Sequence, residues 1–302
     1  MNLNINLLQK KFGKNLIVKE NLSKYSWFNL GGPADIFFRP ENKDQLIKFL
    51  SEIRKNNYNM HILGAGSNTL IRDSGVKGAV IKLGSKFSDI KLLEKDTIEV
   101  GAAILDRKVS DFAKNNDIGS MEFLSCIPGS IGGAIIMNSG CYGSDISKIL
   151  ISIKVIDDQG NEKEIKNDKI KFYYRGTDLP KNYIILSAIL KGTISSKQLI
   201  LKKQEELIQR KKESQPSQIK TGGSTFKNNN EKKAWMLIKE SGCDKLYVGD
   251  AKISEKHCNF FVNNGKAKAS DIEKLINKVR QEVELKTGVN LELEIKIIGD
   301  EK

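Results

Sequence analysis

The sequence predicts an α+β protein in which a two-lobed N-terminal module precedes a separate C-terminal α+β domain. Three observations predict it. At 302 residues the chain exceeds what one hydrophobic core usually organises. Segments with helical apolar spacing are mixed with short strand-like runs, and glycine-rich loops separate them. After a break at Gln215-Pro216 the chain carries its own set of helices and a closing strand.

Residues 1–24 read as a polar N-terminal arm. Asp35 to Arg39 reads as a strand ended by Pro40, and Lys43 to Asn56 carries Leu46, Ile47, Phe49, Leu50 and Ile53 at helical spacing. A strand at His61-Ile-Leu63, a glycine turn and a strand at Ala79 to Leu83 complete a first lobe over about 25–84. The second lobe, about 85–194, starts with a strand from Thr97 into Gly101 and a helix over Asp106 to Asn115. A glycine-rich block follows from Phe123 to Gly143. A hairpin then leaves Ile151 to Ile156 and turns through Asp158 to Asn161, and Tyr183 to Leu190 adds an apolar strand. A charged amphipathic helix over 195–214 connects this module to the C-terminal domain, 215–302. That domain holds a Gly-Gly-Ser loop, helices near Lys232 to Ser241 and Ser270 to Thr287, and a strand through Leu291 to Ile298.

The hydrophobic share of 39%, the charged share of 29% and only five prolines predict order nearly throughout. The net charge of +13 favours anionic partners, but only seven of the 50 basic residues are arginine and the lysines are spread along the chain. That distribution lacks the concentrated stripe expected of a nucleic-acid binder. Cys126, Cys141, Cys243 and Cys258 show no C-x-x-C spacing, and the only histidines are His61 and His257. Free thiols and no metal centre are expected. Met1 to Asn6 does not resemble a secretory signal, and no apolar run approaches the about 18 residues of a membrane span. A cytoplasmic protein with no membrane insertion is the expectation.

Five motifs can carry chemistry. Gly64-Ala65-Gly66-Ser67-Asn68 follows an apolar strand, and its glycines and polar side chains could cradle a pyrophosphate. The third glycine of a dinucleotide fingerprint would fall at Thr69, so a tight structural turn fits these residues as well. In Ile127-Pro128-Gly129-Ser130-Ile131-Gly132-Gly133, the small residues suit either a flat ligand lying on bare backbone or close packing in the core.

Phe172-Tyr173-Tyr174-Arg175-Gly176-Thr177 sets an arginine among aromatics, able to grip a carboxylate or to form an ordinary surface ion pair. Thr221-Gly222-Gly223-Ser224-Thr225-Phe226-Lys227 exposes a serine on glycines. With no histidine nearby and no second glycine at Phe226, a hydrolase nucleophile is poorly supported, leaving a proton donor or a turn residue. Around Glu292-Leu293-Glu294-Ile295-Lys296, strand alternation puts the charged residues on one face, and that face can be simply solvated.

Together, in this order and spacing from about Tyr25 to the C-terminus, these motifs resemble the UDP-N-acetylenolpyruvoylglucosamine reductase family. Asn29-Leu-Gly-Gly-Pro-Ala34, Ser254-Glu-Lys-His257 with Asn259-Phe260, and Ile297-Ile-Gly299 add to the resemblance. The short spacing from Tyr174 to Ser224 resembles the family type that lacks an extra substrate loop. The resemblance implies an FAD-binding module over 25–194, of the PCMH or vanillyl-alcohol-oxidase kind, followed by a substrate-binding domain. It implies non-covalent FAD, NADPH as reductant, a UDP-sugar substrate, a monomer, and a place in peptidoglycan precursor synthesis.

Residue by residue, the resemblance implies that Gly64, Ala65, Gly66, Ser67 and Asn68 hold the FAD pyrophosphate. Ile127, Pro128, Gly129, Gly132 and Gly133 would line the flavin. Arg175, Ser224 and Glu294 match the catalytic positions. In the reaction so implied, hydride passes from NADPH through FAD to the terminal carbon of an enolpyruvyl double bond. Arg175 and a protonated Glu294 stabilise the enolate-like charge, and Ser224 protonates the adjacent carbon.

The sequence departs from the usual family pattern at Asn229, Thr177 and Asp250; the last bears on a turn in the C-terminal domain. Two other readings remain at this level. One is a different flavin oxidoreductase, and His61 and His257 offer it no persuasive covalent attachment point. The other is a basic nucleotide- or RNA-binding protein.

Overall fold

The computed structural model describes residues 5–229 and 231–301, so Met1 to Asn4 of the N-terminal arm lie outside the described residues. The chain forms two compact units. The first comprises the described residues up to Val18, Ile36–Ala65 and Gly78–Lys211; the second comprises Lys19–Asp35, Gly66–Lys77 and the chain from Lys212 onward.

In the first unit a helix over Ile5–Phe12 stands in the region read as an arm. It buries Leu8 and Phe12, and Phe12 meets the edges of Phe38 and Phe49, whose rings stack 3.9 Å apart. Burying each such phenylalanine contributes roughly 1.5–3 kcal/mol, which offsets the ordering of so short a helix. The helix over Lys43–Lys55 begins where Asn42 Oδ1 accepts the Gln45 amide at 2.9 Å, and it buries Leu46, Phe49, Leu50 and Ile53. It covers a four-stranded sheet in the order Leu16–Asn21, Pro33–Phe38, Val76–Ile81, Met60–Ile62, whose last two strands run parallel.

A second sheet in this unit is wholly antiparallel, in the order Glu162–Lys166, Leu150–Ile156, Ile184–Lys191, Thr97–Gly101, Ile90–Glu94. The hairpin forms because Asp157 Oδ1 accepts the amides of Gln159 and Asn161 and Gly160 takes φ +87°. The helices Asp106–Asn115 and Ile131–Ile136 help close the core around Ile98, Val109, Ile131 and Ile153. The helix over Lys197–Ser214 docks through Ile200, Leu207 and Gln204, whose amide donates to both the carbonyl and the hydroxyl of Ser110.

The second unit has a sheet in the order Lys220–Ser224, Phe260–Asn263, Ala251–Ile253, Tyr247–Val248, packed by the helices Ala234–Glu240 and Ala269–Thr287. The long helix starts where the Asp73 carboxylate accepts the amides of Ala269 and Ser270, and it stops at Gly288, φ +71°. Lys296–Ile298 pairs in parallel with Thr69–Ile71. The Gly-Gly-Ser segment read as a loop is an edge strand with a bulge between Thr221 and Ser224. Among the described residues no helix is long and apolar enough to cross a membrane.

Candidate active site

The chain passes from the first unit to the second within the glycine loop, between Ala65 and Gly66. On the first side, the Lys82 ammonium donates to the carbonyl oxygen of Gly64, and a Cβ on Gly64 would lie 2.9 Å from Ser130 Oγ. The first two motifs are therefore neighbours in space. Burial, and then the nearby Arg39 charge, lowers the Lys82 pKa. Lys82 was legible only as one polar residue in an apolar strand, yet it is the cation that faces this loop.

On the second side, Gly66 has φ +71° and its backbone lies so close to Tyr25 that a Cβ would meet the Tyr25 carbonyl oxygen at 1.8 Å. The Gly66 carbonyl accepts the Trp27 amide at 3.1 Å. Only glycine fits there.

Within the Ile127 to Gly133 stretch the glycines differ in their surroundings. A Cβ on Gly129 would sit 2.4 Å from Asp106 Oδ2, and one on Gly132 would sit 3.2 Å from the Ala102 side chain, so these two glycines serve close packing. Gly133 differs: it is exposed, with nothing nearer than Ser130 Oγ at 3.8 Å, and it leaves bare backbone available to a flat group. Asp106 is 0% exposed, and neither of its carboxyl oxygens has a hydrogen-bond partner among the described residues. Burial raises its pKa well above the usual carboxylate range, with the Gly129 amide the one influence favouring charge.

Arg175 sits at the tip of a hairpin between Phe172–Tyr173 and Gly176–Thr177, with φ +58°, a left-handed conformation uncommon for a non-glycine residue. Its guanidinium lies over the Tyr174 ring at 4.9 Å and donates from Nη2 to the Gly140 carbonyl at 2.9 Å. Asn138 Nδ2 holds the same hairpin through the Tyr173 carbonyl at 3.1 Å. The Arg175 motif is thus braced by the end of the glycine-rich block.

Ser224 and Glu294 come together within the second unit. Ser224 ends the bulged strand opposite Phe260, and Gly223 before it has φ +79° with open space where a Cβ would be. Gly222 is fixed by packing, since a Cβ there would strike the Phe28 ring at 2.4 Å. The next residue, Thr225, accepts the Glu294 amide at 2.8 Å, Phe226 bridges Leu293, and the Lys227 amide donates to Glu292 at 2.8 Å. Asn259 clamps the same turn: its Oδ1 accepts the Phe226 amide, and its Nδ2 donates to the Phe226 carbonyl.

Asn68, read as a phosphate ligand, directs Nδ2 at the Glu294 carbonyl at 3.0 Å, and its own carbonyl accepts the Lys296 amide. The departures find local partners. Asn229 Oδ1 accepts the amides of Glu231 and Lys232, and Asp250 Oδ2 accepts the Lys266 amide at 2.8 Å. No group of three or more metal-ligating side chains occurs among the described residues.

A family model described as an FAD binding domain matches residues 34–166, a span that includes Gly64–Asn68 and Ile127–Gly133. Fold and site together define an α+β flavoprotein oxidoreductase. The model of the UDP-N-acetylenolpyruvoylglucosamine reductase C-terminal domain matches residues 215–298. The enzyme of that name from Pelagibacter ubique is 48% identical over 296 residues, spanning 96% of this chain and 98% of its own. The one from Wolbachia sp. subsp. Drosophila simulans is 43% identical, spanning 92% and 94%. The crystal structure of the Thermus caldophilus enzyme superposes with a TM-score of 0.81 at 32% identity, covering 93% of this chain and 97% of that one. The chain belongs to the UDP-N-acetylenolpyruvoylglucosamine reductase family.

Proposed function

We propose that the chain uses NADPH and FAD to reduce UDP-N-acetylglucosamine enolpyruvate to UDP-N-acetylmuramate, a step in peptidoglycan precursor synthesis. The observation that carries this reading is the end-to-end relationship, 48% identity across 96% of the chain. Residues 25–194 form the FAD-binding module in this reading, with 195–214 as the connecting helix and 215–302 as the substrate domain. We place the reaction in the cytoplasm and assign it to a monomer with no nucleic-acid partner.

The residues present fit FAD. Gly133 offers open backbone, and Lys82 brings a cation to Gly64. Gly64 to Asn68 would hold the pyrophosphate, and Ile127, Pro128, Gly129, Gly132 and Gly133 would line the flavin. When bound, FAD supplies hydride transfer between NADPH and the enolpyruvyl double bond.

The chain's own residues manage charge and protons around that transfer. Arg175, held by Tyr174 and Gly140, binds the substrate carboxylate and offsets the negative charge that develops there. Ser224 gives its hydroxyl proton to the substrate carbon next to the carboxylate. Glu294, fixed to Thr225 through its amide, acts as a protonated carboxyl that shares its proton with that carboxylate. Ser224→Ala tests the assignment: NADPH should still bleach the flavin, while recovery of colour with the enolpyruvyl sugar should stop. Equal loss of both half-reactions would refute the role of Ser224.

A further inference from the structure

Ser254-Glu-Lys-His257 and Asn259-Phe260 have no part in the cofactor or substrate reading, yet in the second unit they lie against the Ser224 turn. Ser224 pairs with Phe260 on the neighbouring strand. On the side before Ser224 the strand holds it loosely, because the register slips between Thr221 and Ser224, and Gly223, φ +79°, has open space beside it. The hold comes from the other side. Asn259 is 3% exposed; its carbonyl accepts the Thr225 amide at 2.8 Å, its Oδ1 accepts the Phe226 amide at 3.0 Å, and its Nδ2 donates to the Phe226 carbonyl at 2.8 Å. The Thr225 hydroxyl, buried in the same turn, has no hydrogen-bond partner among the described residues and adds nothing to that hold.

Asn259 is itself fixed. Its amide donates to His257 Nδ1 at 3.2 Å, the Phe260 amide donates to the His257 carbonyl at 2.9 Å, and the Ser254 amide donates to the Phe260 carbonyl at 2.8 Å. The His257 and Phe260 rings meet edge to face with centroids 4.9 Å apart. Burial lowers the His257 pKa, which favours the neutral ring that Nδ1 needs in order to accept. Residues 254–260 therefore form a closed turn that presents Asn259 to the two residues after Ser224.

We propose that Asn259 is a positioning residue for the proton donor: by fixing Thr225 and Phe226 it sets where the Ser224 hydroxyl stands. The proposal rests on the reading of Ser224 given above. A proton donor works only within hydrogen-bond reach of the atom it protonates, and a displacement of about 1 Å can cost about 100-fold in rate. Phe226 is 0% exposed, so water cannot take over the two bonds that the Asn259 side chain makes to it. Without them, the glycine side of the turn has no means of holding Ser224 in place.

The test is stopped-flow spectroscopy on the FAD-loaded holoprotein, reduced with NADPH and then mixed with rising concentrations of UDP-N-acetylglucosamine enolpyruvate. In Asn259→Ala the limiting rate of flavin reoxidation should fall by about 100-fold. The rate of reduction by NADPH and the sugar concentration giving half the limiting rate should both stay at their wild-type values. Asn259→Asp keeps the acceptor for the Phe226 amide and loses the donor to its carbonyl, so its limiting rate should fall by about 10-fold, as for one lost hydrogen bond. This variant carries the test if Asn259→Ala does not fold. Equal slowing of both half-reactions, or a change confined to the sugar concentration required, overturns the proposal. Ser224→Ala separates it from the reading beneath it. If Ser224→Ala blocks reoxidation while both Asn259 variants reoxidise at the wild-type rate, the positioning role alone falls; if Ser224→Ala itself reoxidises normally, the reading of Ser224 falls and the positioning role with it.

Discussion

The side-chain amide of Asn68 donates to the backbone carbonyl of Glu294 at 3.0 Å, so a residue of the glycine loop fixes the segment, just ahead of the strand Lys296–Ile298, that carries the proposed catalytic carboxyl. The parallel pairing that begins at Thr69 and Lys296 continues this connection. Loop and carboxyl therefore share one mechanical support.

Asn68→Ala should destabilise the protein by about 1 kcal/mol through the lost hydrogen bond. Its substrate-driven flavin reoxidation should fall at least as much as its FAD affinity. Stopped-flow spectroscopy on FAD-reloaded variant checks this, and wild-type reoxidation there would count against Asn68 as a support for Glu294.

Arg175→Lys keeps the charge but loses the planar fork that reaches Gly140 and stacks on Tyr174. Reoxidation by the enolpyruvyl sugar should slow by about 100-fold, as expected for removing one well-placed donor, with NADPH-driven reduction unchanged. Single-turnover rates of the two half-reactions separate these effects.

Asp106 predicts a pH dependence with a definite sign. Its folded pKa lies above the ordinary 3.8, so between these values the folded state binds the extra proton, and stability falls as pH rises. The contribution is fully present below the unfolded-state value and is lost through the raised range. Asp106→Asn, close in shape but unable to ionise, should flatten that slope. Relative to wild type it should gain up to about 1.4 kcal/mol for each pH unit across the window. Urea melts from pH 4 to pH 8 measure it, and parallel wild-type and variant curves would exclude Asp106 as the titrating group.

Lys82→Met should weaken FAD binding by roughly 10- to 100-fold, the loss expected when a charge-assisted contact of about 1.5–3 kcal/mol goes. The apolar methionine stem suits a position that directly follows the buried strand Val76–Ile81, so folding should survive. Titration of apoprotein with FAD, followed by flavin fluorescence, reports the affinity directly.

How much of this was legible depended on whether the signal was local. The helix over Asp106–Asn115 follows from apolar spacing with the bounds read from the sequence, and Lys43–Lys55 is shorter than its reading by one residue. The strand at Ile90–Glu94 gives no such signal, because Leu92 and Leu93 are both exposed and interrupt the alternation. Ile5–Phe12 is too short to declare itself and is held by Phe38 and Phe49.

At the site, residue types pointed to Ser224 and Glu294 singly, but the Glu294 amide on the Thr225 carbonyl and the Phe226–Leu293 bridge, which no local signal supplies, bring their segments together. Lys82, Asp106 and Asn259 gain their meaning from Gly64, Gly129 and Phe226, contacts that no spacing rule supplies.

The most direct test is a visible spectrum of the purified protein, recorded anaerobically, first alone, then with NADPH, then with UDP-N-acetylglucosamine enolpyruvate. The account predicts flavin bands that bleach with NADPH and return with the enolpyruvyl sugar. A colourless protein that takes up no added FAD, or a flavin that bleaches and stays bleached with this sugar, would contradict it.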